Sequence, residues 1–101
     1  MRLIVFFDLP TLTQKDLCEY RKFRGFLLAN GFIMMQKSVY SKLVLNNNST
    51  KLLRTQIERH VPPNGLIQIM QITEKQFADI EYLIGQPQTK VVDSTNRVVQ
   101  I

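Results

Sequence analysis

Apolar residues occur along the chain in short runs, and the spacing within each run predicts a secondary-structure element. The first run, Leu3 to Phe7, has five apolar residues without alternation and stops shortly before Pro10. That pattern favours a strand buried on both faces. A second largely apolar run, Leu66 to Ile72, predicts another strand. We therefore expect a sheet with at least one central strand that meets no water on either side.

Helical periodicity follows the first strand. Thr13 to Asp16 has the form of a capping box and Asn30-Gly31 is a helix stop, which predicts a helix over Thr13 to Asn30. Its predicted buried stripe is Leu17, Tyr20, Phe23 and Leu27.

A second helix is predicted over about Thr50 to His60, after the polar turn Asn46 to Ser49. The segment Thr73 to Gln76 is another capping-box pattern and predicts one or two further helical turns.

The remaining segments predict strands. Phe32 to Leu45 is rich in Ile, Val, Tyr and Phe and favours one long or bent strand. Ile80 to Ile84 is expected to be a fourth strand ending at Gly85. The tail from residue 86 carries Val91-Val92 and Val98-Val99, and we expect a short strand there that adds to a sheet of a partner.

Two helices can cover only one face of a four-stranded sheet. Since the strands at Leu3 and Leu66 are apolar on both faces, the uncovered face must meet something dry. A second copy of the sheet across a two-fold axis is the simplest candidate. With 101 residues, the chain has room for one domain, which a partner subunit would stabilise.

Positive charge is concentrated in the middle of the chain. Between Lys15 and Arg59 lie nine of the thirteen basic residues and three of the eight acidic ones, a net charge of +6 in a chain of net charge +5. This pattern is typical of a polyanion-binding protein, although a solvated basic helix face would look the same.

Other chemistry has little support in the sequence. One Cys and one His form no zinc spacing or catalytic triad, and no Gly-rich phosphate loop is present. Cys18 is interpreted as a small core residue, and His60 as a side chain that satisfies carbonyls at a helix end. The lone cysteine and the lack of a long apolar run predict a cytoplasmic protein that does not enter a membrane.

Five segments together resemble one known family: the small CRISPR-associated endonuclease-type subunit of the spacer-acquisition complex, in the form that accompanies type II systems. They are, in the family's order, Phe6 to Pro10, Tyr20 to Arg24, Asn30 to Phe32, Ser38 to Lys42 and Thr73 to Phe77.

The resemblance implies an α+β, ferredoxin-like β-α-β-β-α-β core over residues 1–85. It also implies a C-terminal tail over residues 86–101 whose strand joins the partner's sheet. The protein would be a homodimer with its sheets facing each other, gripped on both sides by a CRISPR integrase subunit.

Asp8 is the candidate catalytic and metal-binding residue. The resemblance implies that the two Asp8 side chains of a dimer share a Mg²⁺ ion, which accepts one or two carboxylates with water and phosphate oxygens. The alternative is that Asp8 only caps the turn at Pro10. Some nucleolytic relatives carry an arginine after the helix-closing Gly, where this chain has Phe32 to Met35, and this weakens the catalytic case.

Two hypotheses remain open. In the first, the dimer is an architectural subunit that holds duplex DNA by phosphate contacts and spaces two integrase centres. In the second, it is a magnesium-dependent endonuclease that hydrolyses RNA or DNA through Asp8, including as a stand-alone endoribonuclease. A ferredoxin-like RNA-binding module outside CRISPR is a further alternative. The candidate nucleic-acid-binding residues are Lys15, Arg21, Lys22, Arg24, Lys37 and Lys42.

Overall fold

The computed structural model describes residues 1–86 and has the predicted α+β, ferredoxin-like order of elements. The elements are β1 (Arg2–Asp8), α1 (Gln14–Ala29), β2 (Ile33–Gln36), β3 (Val39–Leu43), α2 (Asn47–Glu58), β4 (Leu66–Ile72) and α3 (Glu74–Ala78). No helix in this part of the chain is long and apolar enough to cross a membrane.

The four strands form one antiparallel sheet in the order β2-β3-β1-β4. β1 is a central strand, as predicted, and pairs with β3 on one side and β4 on the other. Leu3, Ile4 and Val5 are buried on both faces, which explains why this run shows no alternation between apolar and polar residues.

The helices α1 and α2 pack on the same face of the sheet. Leu3, Val5 and Phe7 of β1 point to this face and form one core with side chains of both helices. The helical members of this core are Phe23 and Leu27 of α1 and Leu53 and Ile57 of α2. Three members of the predicted apolar stripe of α1, Tyr20, Phe23 and Leu27, therefore pack at the sheet, whereas Leu17 is only partly buried and lies outside this core.

Side-chain caps set where the helices begin. Thr13 accepts a hydrogen bond from the backbone N–H of Asp16 at 3.0 Å, and the Asp16 carboxylate accepts from the N–H of Thr13 at 3.2 Å. Thr73 and Gln76 form the same reciprocal pair. Both predicted capping boxes are thus confirmed. Asn46 caps α2, so this helix begins three residues earlier than predicted.

The prediction of one long strand over Phe32 to Leu45 was wrong. This segment is a hairpin of β2 and β3, with a register shift between Met34 and Gln36 and a turn at Lys37-Ser38. No Gly, Pro or Asn occurs at that turn, so the usual hairpin signal is missing from the sequence. The hairpin supplies the fourth strand of the sheet.

The prediction of a strand over Ile80 to Ile84 was also wrong. These residues follow α3 without joining a ladder, and Leu83 and Ile84 are more than nine-tenths exposed. The predicted tail strand at Val91-Val92 and Val98-Val99 lies outside the described residues.

The second face of the sheet carries no long helix in the described part of the chain. Because cross-strand partners share a face, Ile33, Ser41, Ile4 and Met70 form a row across it. We call this surface the open face. Ile4 is buried there, whereas Ile33 and Met70 at the outer strands are nearly half exposed. One copy thus shields the centre of the open face and leaves its flanks apolar and accessible.

The short helix α3 is attached at one end of β1. Arg2 donates to the Glu74 carboxylate at 3.0 Å, and its guanidinium lies 4.3 Å from the centre of the Phe77 ring. Arg2 and Asp8 are the first and last residues of β1. α3 is therefore tied to the end of the sheet opposite Asp8.

Candidate functional site

Asp8 is the last residue of β1 and is exposed. Strand alternation places its side chain on the same face as Ile4 and Phe6, because Leu3, Val5 and Phe7 point to the helices. Its cross-strand partner is Leu66, an exposed apolar residue. The candidate carboxylate therefore lies at the border of the open face rather than beneath the helices.

The Asp8 carboxylate has no hydrogen bond and no ion pair with any group among residues 1–86. The alternative role, capping the turn at Pro10, is not seen in this part of the chain. Both carboxylate oxygens thus remain able to bind a ligand from outside. Whether they are catalytic stays a prediction.

Gly65, which immediately precedes β4, packs closely against the backbone of Asp8. Its φ is +110°, and a Cβ at this position would lie 2.9 Å from the carbonyl oxygen of Asp8 and 2.6 Å from the Leu9 side chain. Sequence reasoning treated Gly65 only as part of a helix-ending turn. Its signal was the run Pro62 to Gly65 immediately before β4.

Two of the predicted basic residues lie at the Asp8 end of the sheet. Lys15, in the first turn of α1, lines a small cleft together with Pro10 and Pro62. Lys37 is in the hairpin turn, which is anchored beside β1 by a 3.0 Å hydrogen bond from the Phe7 N–H to the Ser38 carbonyl. The fold therefore brings positive charge from two separate segments toward the end of β1.

Three more basic residues lie along α1. Arg21 and Lys22 are exposed and form no ion pair with any of the described residues. Arg24 is also exposed, but its Nε donates a 2.9 Å hydrogen bond to the hydroxyl of Tyr40 on β3. Helical spacing places Lys15 and Lys22 on one side of α1. It places Arg21 and Arg24 on a different side.

Lys42 differs from the other five. It is half-buried on the helix-facing side of β3, and its Nζ donates to the carbonyl of Asn30 at the C-terminus of α1. This is a favourable place for a cation, because the last carbonyls of a helix have no partners within it. The structure gives Lys42 a capping role, and its proposed binding of phosphate stays a prediction.

The predictions for His60 and Cys18 had opposite outcomes. His60 was predicted to satisfy carbonyls at a helix end, and its Nδ1 lies 2.8 Å from the carbonyl oxygen of Gln56. The His60 ring also stacks on Phe26, with 4.0 Å between ring centres. The placement of Cys18 in the core was wrong, since this thiol is exposed on α1.

A metal site inside one copy is not found. Among residues 1–86, no group of three or more His, Cys, Asp or Glu side chains is arranged to hold a metal ion. The Asp8 carboxylate offers oxygen ligands, which are the kind that Mg²⁺ prefers.

These observations define a class: a small ferredoxin-like protein with an accessible carboxylate at the end of its central strand and a basic first helix. Comparison with known families identifies it further. The chain belongs to the family described as CRISPR associated protein Cas2, whose model matches residues 1–80.

Individual relatives cover almost the whole chain. A protein of Treponema denticola is 46% identical over 98% of both chains and is called CRISPR-associated endoribonuclease Cas2. Proteins with the same name from Streptococcus mutans UA159 and Ligilactobacillus salivarius are 46% and 40% identical. They match 98% of this chain and cover 91% and 98% of their own lengths, respectively. The family resemblance drawn from the sequence is confirmed.

Proposed function

We propose that this protein is a cytoplasmic, dimeric subunit of the CRISPR spacer-acquisition complex, which binds duplex DNA on its basic helices and bridges integrase subunits. One observation carries this proposal. The sheet has an incompletely covered apolar face, and the basic helix α1 lies on the opposite side.

This arrangement supports a dimer that presents two basic surfaces. If two copies stack through their open faces, Ile33 and Met70 of each become shielded from water. Both copies of α1 then remain on the outside of the dimer. A rigid body with positive helices on its two outer sides suits a duplex held by its phosphates without base recognition.

The same dimer supports the second candidate function, a magnesium-dependent endonuclease. Asp8 lies at the edge of the open face, so a two-fold axis through that face brings the two Asp8 side chains toward each other. The donor set fits Mg²⁺, because two carboxylates with water complete a six-ligand shell of oxygens. When bound, the ion would supply Lewis-acid activation of a phosphodiester and of a water molecule.

This second function has a specific observation in its favour. The T. denticola, S. mutans and L. salivarius relatives are named endoribonucleases, and the Asp8 carboxylate is free of partners within residues 1–86. Membership of the CRISPR family also favours both functions over an RNA-binding module outside CRISPR.

The substitution Asp8→Asn separates the two functions. We expect cells with this variant to acquire new spacers at the wild-type frequency, because an architectural subunit needs the shape and positive charge of the dimer rather than the carboxylate. Magnesium-dependent cleavage of RNA or DNA by the purified variant should be lost. Sequencing of the CRISPR array and gel assays with labelled substrates measure the two results.

Asp79→Asn is the matched control, because Asp79 is an exposed aspartate at the end of α3. This helix is attached to the end of the sheet opposite Asp8. It should alter neither result. Loss of acquisition in Asp8→Asn, with acquisition normal in Asp79→Asn, would contradict the architectural role. Normal acquisition in cells that lack the protein altogether would likewise contradict the architectural role, and a wild-type protein that cleaves neither RNA nor DNA in the presence of Mg²⁺ would contradict the endonuclease.

A further inference from the structure

Tyr40 is a wholly buried side chain with a polar atom. It lies on β3 between Val5 and Met34 on the neighbouring strands, and its ring stacks on Phe7 with 5.5 Å between ring centres. A tyrosine packed in this way cannot change its position without disturbing the core. Its hydroxyl is therefore a fixed point on the helix-facing side of the sheet.

Arg24 is the partner of that hydroxyl. The Nε of Arg24 donates to the Tyr40 Oη at 2.9 Å, across the interface between α1 and β3. A buried hydroxyl without a partner is unfavourable, so this hydrogen bond satisfies Tyr40. It also restrains Arg24, because Nε belongs to the planar guanidinium group and joins that group to the rest of the side chain.

The rest of the guanidinium remains available. Arginine has five N–H donors, and the bond to Tyr40 uses one, which leaves the four on the two Nη atoms. Arg24 is exposed and has no acidic partner among residues 1–86. Two Nη groups with a fixed orientation can bind two oxygens of one phosphate.

The other basic residues of α1 are not restrained in this way. Arg21 and Lys22 are exposed, and their side chains form no hydrogen bond with the described part of the chain. Such long side chains lose rotamer freedom when they bind a phosphate. Arg24 has lost much of that freedom before binding.

We propose that Tyr40 is a positioning residue that preorganises Arg24 as the principal phosphate-binding arginine of α1. This inference rests on the proposed binding of duplex DNA. The hydrogen bond between Arg24 and Tyr40 distinguishes Arg24 from Arg21 and Lys22 on the same helix. Tyr40 itself touches no nucleic acid and acts only through Arg24.

The experiment measures binding to a fluorescent DNA duplex of arbitrary sequence by anisotropy, over a series of salt concentrations. Tyr40→Phe keeps the buried ring and removes the hydroxyl. It should weaken binding roughly threefold to tenfold, which corresponds to the usual cost of ordering one long side chain. The slope of affinity against salt should not change, because Arg24 keeps its charge.

Arg24→Gln should weaken binding further and reduce the salt slope by about 0.9 for each phosphate that is no longer neutralised. In the double variant, Tyr40→Phe should have no additional effect, because the residue on which it acts is gone. Arg24→Lys keeps the charge but removes both the Nε donor and the paired Nη groups. It should therefore weaken binding at least as much as Tyr40→Phe with an unchanged salt slope, and it serves if Tyr40→Phe folds poorly.

Tyr20→Phe is the matched control. Tyr20 lies on α1, its ring packs against the same Phe7 with 5.9 Å between ring centres, and its hydroxyl has no hydrogen bond within residues 1–86. It should bind DNA as the wild type does.

Three results would contradict the inference. Equal binding by Tyr40→Phe and the wild type would overturn it and leave the proposed DNA binding intact. An equal loss from Tyr40→Phe in the wild-type and Arg24→Gln backgrounds would assign Tyr40 a general structural effect instead. A wild-type protein with no affinity for the duplex would overturn the proposed DNA binding and this inference together.

Discussion

At the scale of single residues, the candidate site depends on how closely two strands approach beside Asp8. Gly65 begins the return of the chain into β4, and its missing side chain lets the backbone pass against the Asp8 carbonyl and Leu9. Asp8 is therefore exposed at its carboxylate and fixed at its backbone. A charged group held in this way can have a defined position without being buried.

Gly65→Ala tests this close approach. A Cβ would overlap the Asp8 carbonyl and the Leu9 side chain, and the φ of +110° is unfavourable for alanine. We expect the free energy of unfolding to fall by about 1–3 kcal/mol, as measured by urea denaturation.

Gly25→Ala is the control for this substitution. Gly25 lies inside α1, and no atom is within 4 Å of the position that a Cβ would take. Alanine there should raise the free energy of unfolding by about 0.5–1 kcal/mol. If both substitutions had the same effect, steric overlap at Gly65 would not be important.

At the scale of elements, α1 combines two different surfaces. Phe23 and Leu27 bind it to the sheet, and a capping box fixes its beginning at Thr13. Its remaining sides carry Arg21 and Lys22, which no acidic side chain among residues 1–86 neutralises. The helix is therefore held to the sheet by its apolar stripe, and its positively charged side chains face outward.

The double substitution Arg21→Gln with Lys22→Gln tests the role of α1 in DNA binding. Affinity for duplex DNA should fall by a similar factor for all sequences, because phosphate contacts carry no sequence information. The dependence on salt should become shallower by about 0.9 for each phosphate that the variant fails to neutralise. Anisotropy titrations at several salt concentrations measure both quantities.

Lys75→Gln provides the comparison, since Lys75 is an exposed lysine on α3 rather than α1. Lys75→Gln removes one positive charge, whereas the double variant removes two. If the position of the charge matters, Lys75→Gln should reduce the binding free energy by much less than half of the reduction in the double variant. A loss of affinity proportional to charge alone would mean that DNA binding is not located on α1.

At the scale of the whole molecule, the open face links the apolar sheet to the acidic site. Ile33 and Met70 flank the buried Ile4, and Asp8 lies at the border of the same face. A surface of this kind is typical of an interface between copies. In the proposed dimer, the pairing of the two Asp8 side chains is a consequence of this one surface.

Met70→Glu tests the dimer. In a dimer through the open face, the new carboxylate would be buried without a partner, which is strongly unfavourable. Light scattering after size exclusion should show a wild-type mass twice that of the 11.8 kDa chain and a variant mass equal to one chain.

Leu52→Glu is the appropriate control because Leu52 is a similarly exposed apolar residue, 63% accessible, on α2 and away from the open face. It should remain dimeric. A wild-type protein that is monomeric at micromolar concentration, or a Met70→Glu protein that remains dimeric, would exclude the proposed interface.

Local signals in the sequence determined much of this fold. The unbroken apolar run predicted β1, the two capping boxes predicted the starts of α1 and α3, and the run after Gly65 predicted β4. Each of these signals lies within a few consecutive residues, and the local backbone geometry sets how those residues interact. The five segments that carry the family resemblance are likewise short runs of consecutive residues.

Tertiary structure alone decided three other features. The division of Phe32 to Leu45 into a hairpin depends on the pairing of β3 with β1, since no turn residue marks it. The inward hydrogen bond of Lys42 and the link between Arg24 and Tyr40 depend on how α1 lies over β3. Such interactions join residues that are far apart in the sequence, and their partners become neighbours only after the sheet has formed.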